Sequence, residues 1–457
     1  MSSATDDITR KLSERITAIG FDDLGETALE RARQLFLDGI AVALAGTVQE
    51  APPGMLAAHV KAMGGTPSSS VIGFGFKTSP TQAAYVNGGS MHVLDFEPMW
   101  SPANHQLSTQ LPAALALAEH HGGGGREIAT AMVKGIEIMG WIREASQQFQ
   151  ASQLLFHPPG LVGAFGSAVA AAHMLGLDAT QLNHALGIAG SRTGSVLANA
   201  GTHTKCTHCG LACANGLDAA MLAALGFEGN TEIFENPRGY VAANYGLDTF
   251  RFELLERYGP PFRVVEPGYS LKMFPSQFGT HFVITAGLSL HPQIPDPERI
   301  RAIRIVGPVM QYVNRPQPES GLAGKFSFQY TALCALLDGK VVMDSFEDEH
   351  RFSARMQAAL DKVTVEMRED IPGNFEDMYV EMSVELDDGR TLHTRCDGPR
   401  GKWGTPPIPV EEHLTKVRDC LALKLGARDI DRVIELGLNL QSMSNAEVRE
   451  LMGILAC

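Results

Sequence analysis

From Asp22 to Ala45 the apolar residues Leu24, Ala28, Leu29, Ala32, Leu35, Phe36, Ile40, Ala41 and Leu44 recur at helical spacing. The same period predicts helices over Thr109–His121, Arg126–Arg143, Gly160–Leu175, Ala179–Ala189 and Cys209–Leu225, with Gly122–Gly125 breaking the first two apart. Ala and Gly dominate several of these faces, and such small side chains let helices approach closely and pack as a dense bundle. Strand patterns are nearly absent from this part of the chain.

The texture changes near Pro260. Ile300–Val306 and Lys362–Met367 alternate apolar and polar residues, as strands with one buried face do. Met378–Leu386 and Thr391–Arg395 flank Asp387-Asp388-Gly389-Arg390, a hairpin with Asp-Gly in its turn. Helical patterns cover Thr280–Leu290 and Gln329–Leu337 between them, and return over Glu411–Leu425 and Asn445–Leu455. The prediction is a mainly α fold. Residues 1–265 and 405–457 form a large all-helical domain, and residues 266–404 form a smaller inserted α+β domain.

Length and charge narrow the function. A chain of 457 residues suits two or three domains, and 44% hydrophobic with 19% charged residues is ordinary for a globular protein. A formal net charge of −14 argues against nucleic acid or an anionic membrane as partner. It also requires any acidic substrate to meet a local cationic pocket. The opening MSSATDDITRKLSERITAIG lacks a positive n-region followed by an apolar core, so no signal peptide is expected. The small-residue runs Gly160–Leu177 and Leu211–Leu225 are interrupted by His, Asn or Asp, which predicts buried helices and no bilayer span. A cytoplasmic location follows as the expectation. Seven scattered cysteines, an odd number, give no disulfide framework.

The segment Asn87–Glu119 holds the densest candidate chemistry, with His92, Asp95, Glu97 and His105 inside fourteen residues. Ionisable groups at the mouth of apolar helices are costly to bury without a partner or a task. Asp95 and His105 on one tight loop have the means to move protons; the competing reading is a helix-capping Asp and a surface His. His157 stands in Phe156-His157-Pro158-Pro159-Gly160, at the rim of a helix N-terminus whose backbone N–H groups favour an anion. Lys205 opens a small-residue helix, where it would reach into a pocket and bind a carboxylate. Nearby Cys206, Cys209 and Cys213, with His203 and His208, invite a metal or iron–sulfur reading. Cys209 and Cys213 at i, i+4 in an Ala/Gly helix fit better as small hydrophobes, and no metal is expected. Lys272 and His281, then Tyr312 and Arg315 in Gln311–Pro316, add cationic and phenolic groups from the α+β region. No GxGxxG, Walker or GxSxG pattern occurs, so neither a nucleotide site nor a serine hydrolase is expected.

Taken in order, NGGSMHVLDF (87–96), PANH (102–105), LPAALALAE (111–119), HPPGLVGAFGSAVAAAHMLGL (157–177) and ALGIAGSRTG (185–194) form the first half of a specific series. THTKCTHCGLACANGLDAAMLAALGF (202–227), KMFPSQFGTH (272–281), QYVNRP (311–316) and KFSFQYTALCALLDG (325–339) complete it. From Ile16 to about Leu425 the chain resembles the MmgE/PrpD family, which includes 2-methylcitrate dehydratase, cis-aconitate decarboxylase and iminodisuccinate epimerase. The resemblance implies a helical domain with an α+β lid domain, an active site between them, a homodimer, and no metal or organic cofactor. It places active-site roles on Asp95, His105, His157, Lys205, Lys272 and Tyr312. Two positions depart from the decarboxylase pattern. Its Asp-Phe-Asp-Asp-Thr-Trp reads Asp95-Phe96-Glu97-Pro98-Met99-Trp100 here, and a thioether donates no hydrogen bond. A His of that pattern is Gln277 here; Gln still binds a carboxylate but shuttles no proton near neutral pH.

The expected activity is a cofactor-independent lyase, a dehydratase or decarboxylase, acting on a small di- or tricarboxylate such as 2-methylcitrate or cis-aconitate. A carbanion beside a carboxylate needs several donors to stabilise it. Lys205, Lys272 and Arg315 would clamp carboxylates, with Gln277 and His281 as further substrate-binding groups. His105 or His157 would transfer the proton, Asp95 would orient its imidazole partner, and Tyr312 would donate to the departing group. Two alternatives stay open: a cofactor-free epimerase with His105 and His157 as opposed bases, and a non-catalytic carboxylate-binding protein.

Overall fold

The computed structural model describes residues 7–150 and 153–457. Each helical period of the first half becomes a helix. In chain order they are α1 (Ile8–Ala18), α2 (Gly25–Gln49), α3 (Ala51–Met63), α4 (Pro80–Val93), α5 (Leu111–His120), α6 (Gly125–Ala145), α7 (Pro158–Leu175), α8 (Ala179–Gly190), α9 (Thr204–Ala224) and the short α10 (Tyr240–Asn244). Then come α11 (Phe278–Leu290), α12 (Gly321–Gly324), α13 (Phe328–Asp338), α14 (Asp348–Arg351) and α15 (Ala354–Leu360), followed by α16 (Val410–Ala422), α17 (Ala427–Leu438) and α18 (Asn445–Ala456). The chain divides into two compact units. One comprises Met1–Gln148, Leu155–Tyr269 and Pro409–Cys457; the other comprises Phe149–Leu154 and Ser270–Ile408. Among the described residues no helix is long and apolar enough to cross a membrane.

The first unit is a helical bundle. Leu35–Gly46 of α2 and nearly all of α7 are buried all round, as helices apolar on every face must be. Full burial of each large apolar side chain contributes roughly 1.5–3 kcal/mol before chain entropy is set against it. α4 and α7 both pack on α9, and glycine sets how closely. A Cβ on Gly210 would fall 2.2 Å from the Tyr85 carbonyl oxygen of α4, and one on Gly216 would fall 2.2 Å from that of Ala164 in α7. These contacts bring the C-terminal end of α4 beside the first turns of α9. The C-terminal helices α16 and α17 pack on α2, and α18 packs on α5.

In the first unit α1, α3, α4, α10 and α17 form outside the predicted helical stretches, and two local features differ in detail. α9 starts at Thr204, five residues before the predicted Cys209, because buried Cys206 extends its inward face by a turn; Lys205 therefore lies in the first helical turn. A small antiparallel pair, Ser69–Val71 with Phe76–Thr78, is too short to register as alternation.

The second unit carries a four-stranded sheet in the order Val363–Arg368, Ile300–Pro308, Val380–Leu386, Thr391–Cys396. The first pair is parallel and the others antiparallel. Val380, Met382, Val384 and Leu386 alternate inward, and α11 covers them together with α13, which packs on α11. Gly389, at φ 84°, makes the predicted hairpin turn. Ser327 caps α13, its hydroxyl accepting from the Tyr330 N–H at 3.0 Å.

Candidate active site

α4 ends at Val93, and the chain turns through Asp95, a non-glycine residue in the left-handed region at φ 52°. The Asp95 N–H donates to the His92 carbonyl at 2.9 Å, which closes this turn. Such a backbone costs about 1 kcal/mol or more and persists where the surroundings fix it. His92, Asp95, Glu97 and His105 are all buried as a result.

Glu97 organises one side of the cluster. Its carboxylate accepts from His92 Nδ1–H at 2.6 Å, from the Ser108 hydroxyl at 2.9 Å and from the Ser108 N–H at 3.0 Å. His105 Nδ1 lies 3.3 Å from the same carboxylate at an angle too poor for a hydrogen bond. With Nδ1–H committed to Glu97, His92 presents the lone pair of Nε2, and Lys205 Nζ donates to it at 2.8 Å. The ammonium also donates to Asp95 Oδ2 at 2.8 Å. A cation is unfavourable in the first turn of a helix such as α9, and the Asp95 carboxylate offsets it. On the far side of Asp95, His105 Nε2 stands 3.9 Å from Oδ1.

His157 joins from the N-terminus of α7, fixed by its N–H donating to the Ser195 carbonyl at 2.8 Å. Its Nδ1 is 3.3 Å from Nδ1 of His208 on α9. Ring centroids are 4.5 Å apart for His92 and His105, 5.3 Å for His92 and His157, 5.9 Å for His105 and His157, and 5.3 Å for His157 and His208. Four imidazoles, two carboxylates and one ammonium thus share a small volume inside the helical unit.

Burial, and then the Lys205 charge, hold three of these imidazoles neutral, those of His92, His157 and His208. His92 is pushed down to about 3 and His208 to about 4, and His157 lies well below the ordinary histidine value. Burial alone would raise Glu97, but the adjoining His105 and His92 reverse this and hold it at about 2. At neutral pH the cluster therefore offers neutral imidazoles as proton acceptors beside a cation. The Lys205 side chain is 12% exposed, more than either group it contacts. The α7 and α9 N-termini add backbone N–H groups that attract anions.

In the second unit, Lys272 is fully buried and donates to the Ser276 carbonyl at 2.9 Å. His281 Nε2 lies 3.3 Å from that carbonyl, and its ring packs against Phe274 and Phe278. Gln277 caps α11, its Oε1 accepting from the Thr280 N–H at 3.3 Å while its Nε2 donates to Tyr312 Oη at 2.9 Å. Arg315 Nε donates to the Tyr312 carbonyl at 3.0 Å, and its guanidinium faces the Phe326 ring. The structure thus links Gln277, Tyr312 and Arg315 within this unit, and Lys272 with His281 through Ser276. Asp95, His105, His157 and Lys205 meet within the helical unit.

Sequence reasoning gave no roles to His92, Glu97 and His208, although all three lie in the segments it singled out. The signal for Glu97 and His92 was their five-residue spacing across the end of α4, which is enough for the turn at Asp95 to fold one back on the other.

Several groups have metal-ligand chemistry. His92, His157 and Cys209 bring ligand atoms within 4.8 Å of one another, as do His92, Glu97 and His105. A divalent ion there would have to displace the Lys205 ammonium from His92. Burial raises the Cys206 and Cys213 thiols to about 12 and Cys209 well above its ordinary value, which keeps them protonated near neutral pH. In the second unit, Cys334, Asp338 and His350 lie equally close, with Asp338 already taken by Arg355 at 3.0 Å and His350 at 2.8 Å.

Comparison with known proteins adds the following. The MmgE/PrpD N-terminal domain matches residues 10–253, and the MmgE/PrpD C-terminal domain matches residues 274–440. Cis-aconitate decarboxylase of Mus musculus is 32% identical over 456 residues, covering 96% of this chain and 92% of that protein. Cis-aconitate decarboxylase of Aspergillus terreus is 24% identical over 500 residues, covering 100% and 97%. 2-Methylcitrate dehydratase of Escherichia coli (strain K12) is 23% identical over 419 residues, covering 84% of each chain.

Proposed function

The chain belongs to the MmgE/PrpD family, and from that premise we propose that it is a lyase acting on a small di- or tricarboxylate of the cis-aconitate or 2-methylcitrate kind. The observation that carries the reading is the Lys205 ammonium, shared between Asp95 Oδ2 and His92 Nε2 at 2.8 Å each, among neutral buried imidazoles. An organic acid entering this cluster gains a fixed cation and two helix N-termini for its carboxylates, and a neutral imidazole for its proton.

The chemistry joins loss of CO₂ or water to one proton transfer. For decarboxylation, the bond to the departing carboxylate breaks, its electron pair passes to the carbon framework beside a remaining carboxylate, and the Lys205 ammonium supplies the proton to carbon, directly or by way of an imidazole that takes it up. For dehydration, a neutral imidazole removes the proton beside a carboxylate and the hydroxide leaves protonated. In both, negative charge builds on a carboxylate, and Lys205 stabilises it in place, with no reorientation needed. His105 or His157 is the proton carrier, and Asp95 orients Lys205. Lys272 and Tyr312 are assigned as carboxylate and leaving-group partners, with Gln277, His281 and Arg315 in support; the α+β unit's part as a lid belongs to the same proposal. The 32% identity to the Mus musculus cis-aconitate decarboxylase across nearly the full chain, against 23% to the Escherichia coli 2-methylcitrate dehydratase, favours loss of CO₂. A homodimeric, cytoplasmic protein is carried with this reading, and sedimentation velocity checks the dimer.

The test is an NMR screen in D₂O against 2-methylcitrate, citrate, cis-aconitate and iminodisuccinate. The proposal expects a product that has lost CO₂ or water from one of the tricarboxylates. Deuterium exchange or inversion alone would mean an epimerase, and binding without any reaction would mean a carboxylate-binding protein.

A further inference from the structure

α16 carries two ionisable groups on its inward face, His413 and Lys416, beside apolar Val417 and Leu421. Opposite them, Asp38 interrupts the fully buried stretch of α2. Asp38 Oδ1 lies 2.8 Å from Lys416 Nζ and 3.1 Å from His413 Nε2, with side-chain exposures of 0, 5 and 3% respectively. A buried ion pair of this kind is a poor source of stability, because desolvation cancels most of its attraction and apolar replacements often do as well. Its geometry gives it another use. The Lys416 ammonium also donates to the Phe96 carbonyl at 2.8 Å and lies 3.9 Å from the centre of the Phe96 ring.

Phe96 is the residue between Asp95, which holds Lys205, and Glu97, which holds His92. Its peptide is therefore the joint from which both carboxylates of the cluster are aimed. The joint follows a strained turn, Asp95 at φ 52°, so it relies on surrounding contacts to stay in register. We propose that Lys416, neutralised by Asp38, is a positioning residue that locks the 95–97 turn and so sets the aim of Asp95 and Glu97. Lys416 reaches the cluster through the Phe96 peptide. The activity part of this inference rests on the lyase reading above, and its structural part does not.

The test compares Lys416→Met, which keeps the unbranched stem and removes the charged end, with Lys416→Arg, which keeps charge. Misplacing a catalytic group by about 1 Å costs on the order of 100-fold in rate. Lys416→Met is expected to lower kcat 10- to 100-fold per folded molecule with KM within about threefold, and Lys416→Arg to recover most of the loss. Imidazole ¹⁵N resonances of His92 and His105 are expected to move in Lys416→Met without substrate. A folded Lys416→Met enzyme with unchanged kcat and unchanged resonances overturns the proposal. Should Lys416→Met not fold, Asp38→Asn carries the test: the same resonances shift if the proposal holds and stay fixed if it fails. A wild-type protein inert to every carboxylate sinks the lyase reading while leaving the resonance comparison decisive for Lys416.

Discussion

Replacing Glu97 by Gln keeps the shape of the side chain and removes one acceptor and the charge. The carboxylate takes three hydrogen bonds, from His92 at 2.6 Å and from Ser108 at 2.9 and 3.0 Å. An amide has two orientations there, and both fail. If its NH₂ faces the Ser108 N–H, two donors meet, and the backbone cannot reverse its role. If the NH₂ faces His92, Nδ1 must become the acceptor, and the proton moves to Nε2, where it meets the Lys205 ammonium. A hydrogen bond to a charged group contributes about 1.5–3 kcal/mol, and an unsatisfied buried donor costs about 1–3 kcal/mol, so Glu97→Gln should lose about 3 kcal/mol at pH 7. The pH dependence supplies a second figure. Glu97 titrates at about 2 in the folded protein against 4.5 unfolded, so its contribution is full above pH 4.5 and is lost as pH falls towards 2. One pKa difference unit is about 1.4 kcal/mol, which again gives about 3 kcal/mol. Urea unfolding at pH 7 should show that gap between wild type and variant, and below pH 4.5 the gap should narrow for as long as both fold. Equal stabilities at pH 7, or a gap that stays constant into acid, would refute the arrangement of Glu97 and His92.

Three further substitutions probe the same cluster and its scaffold. Lys205→Ala should abolish turnover, and because the Lys205 charge depresses His92 and His157, it should raise both imidazoles in an NMR titration; unchanged kcat/KM would remove Lys205 from the scheme. Gly210→Ala should destabilise by at least 1–3 kcal/mol, because its Cβ would stand 2.2 Å from the Tyr85 carbonyl oxygen. Gly453→Ala in α18, with nothing within 4 Å, should instead stabilise by about 0.5–1 kcal/mol in thermal melts.

The helical unit was legible because its helices are long and apolar at a steady period, and the Asp-Gly hairpin because its turn requires a left-handed residue. The three-residue strands and α17 carried weaker signals. α17 turns Ile430, Val433, Ile434 and Leu436 inward over about three turns, with Arg428, Asp429, Asp431, Arg432 and Glu435 interspersed among them. Within the site, Asp95, His105, His157 and Lys205 stood out by their chemistry beside small-residue helices. Glu97 was visible but unassigned, since its role depends on a backbone turn at Asp95 that a non-glycine residue does not announce. Lys416 and Asp38 were hidden for a different reason. Each looks like an ordinary polar position on its own helix, and only the packing of α16 on α2 brings them together.

The central claim is that the imidazoles around Lys205 carry a proton to or from the carbon of a carboxylic acid. Product formed in D₂O by wild type and by His105→Gln, with deuterium at that carbon read by NMR, tests it most directly. Wild type should deliver one solvent deuteron for each CO₂ lost, and the His105→Gln variant should lose that transfer while remaining folded. Normal deuterium delivery by the variant would place the proton carrier elsewhere, and a decarboxylated product without solvent deuterium from wild type would contradict the account.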